Sequence, residues 1–129
     1  MDSRQLNGTT LAYVGDAIYS LQVREHLVRL GLTKSNVLQK RTIPYVGAYG
    51  QARYLKLLID QEMLSNEEME YVKRGRNAKT NSVAKNADII TYRNATGLEA
   101  LWGFLYLEER EARLSELMAF IFKEGEKNG

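Results

Sequence analysis

A single proline, Pro44, and apolar residues recurring three or four apart along almost the whole chain confine these 129 residues to an all-α fold. Strand signals are nearly absent. Hydrophobic residues make up 44% of the sequence, enough for one sizeable core, and the length predicts one domain over residues 1–129. No continuous apolar run reaches membrane-spanning length, so no membrane partner is expected. Met1-Asp2-Ser3-Arg4-Gln5 lacks the basic start and apolar block of a signal peptide, and the expected location is the cytoplasm.

The chain has no cysteine and one histidine, His26. That excludes disulfides, a thiolate nucleophile and a zinc site built on Cys or several His. A metal would have to be held by oxygen, which points to Mg²⁺ or Mn²⁺. Net charge is only +2, but its distribution is uneven. Lys34, Lys40, Arg41 and Arg53 lie in one acid-free stretch, and Lys73, Arg74, Arg76, Lys79 and Lys85 in another. Such surfaces suit a polyanion, or are simply solvated basic faces.

Thr9 or Thr10 is placed to cap a first helix over Leu11–Leu30, with Gly31 as its stop. Its first half, Leu11-Ala-Tyr-Val-Gly-Asp-Ala-Ile-Tyr19, is apolar nearly all round, as expected of a helix enclosed by others. Thr33 or Ser35 opens a further helical stretch that Pro44 either kinks or divides and that runs to about Gln61. Ser65-Asn-Glu-Glu68 is a capping box, predicting a short helix from Asn66 to about Arg74. After Gly75 the apolar period stops, and Arg76–Asn86 reads as an exposed loop rich in Asn, Ser and Thr. Asp88 or Thr91 precedes a second mostly apolar helix over about Tyr92–Leu107. A last amphipathic helix spans about Glu111–Lys123, followed by a frayed end from Glu124.

Each of the two apolar helices carries one isolated acid, Asp16 in the first and Glu99 in the second. Ionised carboxylates are costly to bury without a cation, a metal or several donors facing them. No Lys or Arg lies between Gln5 and Arg24 to serve Asp16 locally. Either the two acids face one another across a divalent cation, or each pairs with a distant base such as Arg93 or turns to solvent. Gly15 and Gly103, next to or one turn from these acids, suit close backbone approach.

Leu11-Ala-Tyr-Val-Gly-Asp-Ala17 resembles the signature helix of the ribonuclease III family, and Glu99-Ala-Leu-Trp-Gly-Phe-Leu-Tyr-Leu107 resembles that family's second metal-binding helix. Arg74-Gly-Arg-Asn-Ala-Lys79, with Tyr92-Arg93 following, is similar to the bacterial Mini-ribonuclease III subfamily, which lacks a double-stranded-RNA-binding domain. The resemblance covers essentially the whole chain. It implies the all-α ribonuclease III catalytic-domain fold, a homodimer, and Mg²⁺-dependent endonucleolytic hydrolysis of double-stranded RNA that leaves 5′-phosphate and 3′-hydroxyl ends, with Mn²⁺ as a possible substitute. By motif position Asp16 and Glu99 become the catalytic metal ligands, and Tyr13 the aromatic that plugs a socket on the partner subunit. The implied substrate is the base-paired ends of large-subunit (23S) ribosomal RNA precursor.

Two positions depart from the fuller family site, which has acids where this chain has Ala12 and Thr96. The subfamily shares both departures. They predict a less negative metal site and leave a second metal ion in doubt. RNA is then contacted by the catalytic domain itself: Arg74, Arg76, Lys79 and Lys85 are assigned to phosphates, with Asn77 and Asn81 as neutral donors. His26 and Trp102 are assigned to packing or surface roles. A non-catalytic double-stranded-RNA-binding dimer is the alternative, and retention of both Asp16 and Glu99 weighs against it.

Overall fold

A computed structural model describes residues 1–78 and 88–127. They form a short 3-10 turn, Ser3–Gln5, and six α-helices: α1 (Gly8–Arg29), α2 (Ser35–Val46), α3 (Ala48–Asp60), α4 (Asn66–Arg76), α5 (Ile89–Leu107) and α6 (Glu111–Glu126), with no strand among the described residues. The centre is α5, whose Leu98 and Ala100–Leu105 are buried almost all round; α1, α3, α4 and α6 pack against it. A helix surrounded in this way has little amphipathic character left to show, which explains its nearly continuous apolar sequence.

Helix α1 starts three residues earlier than the sequence predicts. Asn7, rather than Thr9 or Thr10, is the N-cap, its side-chain oxygen accepting the Thr10 amide at 2.8 Å. The other end falls where expected, at Arg29, with Gly31 at φ 97° just beyond. Leu11, Gly15, Tyr19, Val23 and Leu27, four residues apart, form the buried stripe. The expected enclosure of the first half does not hold within one chain, because Tyr13 is 82% exposed and Asp16 and Ala17 are exposed too. The apolar residues of α1 serve two faces, one packed on α5 and one open.

Pro44 sits inside α2, which ends two residues later at Val46; Gly47 then separates α2 from α3. The Ser65–Glu68 capping box forms as predicted. Helix α4 runs on to Arg76, where the sequence suggested a loop after Gly75. Gly75 is a contact glycine instead: a Cβ there would lie 2.6 Å from the Thr96 carbonyl oxygen and 2.8 Å from Gly97 Cα on α5. Packing, not a helix stop, explains it. Glu124–Glu126, predicted to fray, instead belong to α6, where Gly125 abuts the Tyr45 ring and Glu126 meets His26 Nε2 at 3.3 Å.

Candidate active site

The site begins at the α1–α5 crossing. A Cβ on Gly15 would collide with the Glu99 carbonyl, and one on Gly103 with the Leu11 carbonyl, so the two backbones are in direct contact. No other residue permits this approach. Asp16 follows Gly15 on α1 and Glu99 lies one turn before Gly103 on α5, so the same contact that joins the helices sets the two carboxyl groups side by side.

Glu99 is half-buried and Asp16 exposed at its edge. Burial is the largest influence on the Glu99 carboxyl, followed by its hydrogen bond with Asp16 and the Asp16 charge; together these lift its pKa from 4.5 to about 8. Gln51, 2% exposed on α3, points its side-chain Nε2 at Glu99 Oε2 across 3.4 Å and pulls slightly the other way. Neither acid has a Lys or Arg in salt-bridge range among the described residues. In particular Arg93 does not pair with either. Two adjacent carboxyls without a cation are a strained arrangement at neutral pH, relieved by a proton or by a metal ion.

The donor set fits a hard divalent cation. Magnesium is usually held by one or two carboxylates, with water and substrate phosphate completing its shell, and here Asp16 and Glu99 supply the carboxylates with the Gln51 amide beside them. Among the described residues no third Asp, Glu or His joins them into a larger cluster. Ala12 is buried, and the Thr96 hydroxyl donates to the Tyr92 carbonyl at 3.0 Å. Gln51 has no precedent in the sequence reading. A lone glutamine in an amphipathic helix gives no sign of its target 48 positions away.

The predicted RNA-contacting residues fall in different settings. Arg74 Nη1 donates to the carbonyls of Arg4 and Leu6, at 2.6 and 2.9 Å, and its guanidinium lies over the Tyr71 ring. It therefore fastens the N-terminal segment to α4, a role invisible in the sequence. Arg76 occupies the last turn of α4, and exposed Asn77 follows as its C-cap. Lys79, Asn81 and Lys85 lie outside the described residues. Tyr13 projects from the open face of α1, which continues through exposed Leu21 and Val28. Trp102 is fully buried, its Nε1 donating to Gln22 at 2.9 Å, and His26 stacks on Phe122, so both are packing residues.

A profile of the ribonuclease III domain matches residues 9–110. The protein named Mini-ribonuclease 3 from Enterococcus faecalis is 51% identical over 98% of this chain and 97% of its own length. Its namesake from Brevibacillus brevis is 50% identical over 97% of this chain and 93% of its own. A crystal structure of a Fusobacterium nucleatum protein, 27% identical, superposes with a TM-score of 0.85 over 95% of this chain and 99% of that one.

Proposed function

The chain belongs to the ribonuclease III family and is an endoribonuclease, and we propose that it hydrolyses double-stranded RNA with Asp16 and Glu99 holding a divalent cation, Mg²⁺ or in its place Mn²⁺. The observation that carries this reading is the pairing of the two carboxyls at the glycine crossing, with Glu99 pushed up to about 8. When bound, such a cation supplies Lewis-acid polarisation of a phosphodiester. The chain's own contribution is to hold the two carboxylates at one point through Gly15 and Gly103, and to orient Glu99 through Gln51. Glu99 gives up its proton when the cation arrives, so loading is favoured as pH rises toward 8.

Double-stranded RNA is recognised largely through phosphates and 2′-hydroxyls, and Arg76 and Asn77, with Lys79, Asn81 and Lys85, are the proposed contacts. Arg74 belongs to the same set through its remaining exposed edge, 30% of the side chain. The open face of α1, with Tyr13 at its head, supports a homodimer in which that tyrosine enters the partner. The base-paired ends of 23S ribosomal RNA precursor are the proposed substrate, and the cytoplasm the proposed place of action, on the subfamily resemblance of the sequence motifs alone.

The test is cleavage of an end-labelled RNA duplex by wild type, Asp16→Asn and Glu99→Gln, with and without Mg²⁺. Wild type should cut only with metal, leaving 5′-phosphates, and each variant should lose about 10³-fold in rate, equivalent to several kcal/mol of charge stabilisation. An intact duplex with wild type and Mg²⁺ would overturn the reading. Full activity in both variants would move the site elsewhere.

A further inference from the structure

A cavity of about 480 Å³ opens between α3, the end of α4 and the start of α5. Its wall carries Arg53 and Lys56 from α3, Arg76 from α4, and Thr91 and Asn94 from α5. Lys56 is paired at 2.6 Å with Asp60, the one acid in the wall, so their charges cancel. Arg53 and Arg76 have no acidic partner in salt-bridge range among the described residues. Two arginines without an acidic partner therefore line the cavity together with the Thr91 hydroxyl and the Asn94 amide, while Asp88 is engaged by the lining Tyr49 at its edge. That is a donor set for a phosphodiester, and it disfavours a cation or a purely apolar ligand.

Each arginine rests against a neighbour. The Arg53 guanidinium carbon lies 5.2 Å from the centroid of the Tyr54 ring. The stem of Arg76 crosses the bare backbone of Gly97, where a Cβ would come within 2.9 Å of Arg76 Cγ. Such contacts reduce the side-chain freedom lost on binding.

We infer that the cavity is a phosphate subsite apart from the carboxyl pair, in which Arg53 and Arg76 hold a phosphodiester of the bound RNA. The inference rests on the endoribonuclease reading above. It adds Arg53, which lies in α3 far from the basic segment after α4, and gives Arg76 a partner.

Cleavage of a labelled duplex across a KCl series tests it, with wild type, Arg53→Gln/Arg76→Gln and Arg53→Lys/Arg76→Lys. The glutamine pair should raise KM about tenfold while kcat changes much less, and should flatten the slope of log(kcat/KM) against log[salt] by about one to two, since one or two phosphate contacts are lost. The lysine pair should keep the slope. Inorganic phosphate should compete with duplex in wild type and lose that effect in the glutamine pair. Unchanged KM and slope in a glutamine pair that melts like wild type would overturn the subsite, as would equal inhibition by phosphate. Arg53→Gln alone, at an exposed position, carries the same test with about half the slope change if the double variant unfolds. Failure of wild type to cut overturns the underlying reading and the subsite together, whereas normal cutting with an unmoved slope overturns the subsite alone.

Discussion

Glu68 and Glu99 are the same side chain withdrawn from water in two parts of one small protein, and their carboxyls move in opposite directions. Glu68, on the first turn of α4, is opposed by everything a buried carboxylate needs. Arg113 grips it with two bonds of 2.8 Å, and the Ser65 amide donates at 2.9 Å. Burial pushes the Glu68 pKa up, but the Arg113 hydrogen bonds and the Ser65 contacts more than reverse this and hold it below 4.5. Glu99 receives the same push from burial and a second from Asp16, with only the long Gln51 contact against them. One site is electrostatically complete and serves stability. The other has no positive side chain in salt-bridge range among the described residues, which is the setting the proposed cation site requires.

Removing Arg113 should break the complete site most severely. Arg113→Ala strands a buried carboxylate and should cost about 3 kcal/mol in urea unfolding, at the low end of such losses because the guanidinium is 28% exposed. The activity of the remaining folded protein should be unchanged.

Gly15→Ala attacks the incomplete site through its backbone. The added methyl must displace the Glu99 carbonyl, so about 1–3 kcal/mol of stability should be lost. Unlike Arg113→Ala, it should abolish metal-dependent cleavage even below its melting point.

The pH dependence of melting in EDTA sharpens the contrast. Stability from Glu68 is present above about 4.5 and is lost as pH falls through its lower folded pKa. Glu99 acts in the reverse sense. Its folded pKa of about 8 exceeds the ordinary 4.5, so the metal-free fold loses stability as pH rises from 4.5 to 8. Glu99→Gln should remove that loss and melt about 5 °C above wild type at pH 8.5, with the difference closing near pH 4.5. Gln51→Ala should have the smallest effect, about a tenfold drop in cleavage with little change in melting.

The contrast also marks what a sequence can disclose. The local half of the Glu68 site, Ser65 with Glu68 three residues on, is a short-range pattern and was readable. Its other half, Arg113, is 45 positions away and carries no local signal. Asp16 and Glu99 could be singled out because each is the lone charge in an apolar helix, and the glycines beside them hinted at contact between those helices. The structure sets the two acids side by side, one of the two arrangements their isolation in apolar helices leaves open. Gln51 carries no sequence signal, because a neutral amide within an amphipathic helix is ordinary until its neighbour is known. Charge alone marks Arg74 for phosphate, whereas its geometry ties it to the Arg4 and Leu6 carbonyls. Gly75 resembles a helix stop because local sequence cannot distinguish a helix end from a helix crossing. The open face of α1 was hidden for a related reason, since an apolar surface for a second subunit has the same composition as one for the core.

Calorimetric titration of Mn²⁺ into wild type, Asp16→Asn and Glu99→Gln at pH 7 reaches the central claim most directly. Wild type should bind the ion and release a proton from Glu99, seen as a heat that varies with the buffer, while each variant binds at least about tenfold more weakly and Glu99→Gln releases no proton. Equal affinity in all three proteins, with the same buffer dependence, would contradict the assignment of this carboxyl pair as the metal site.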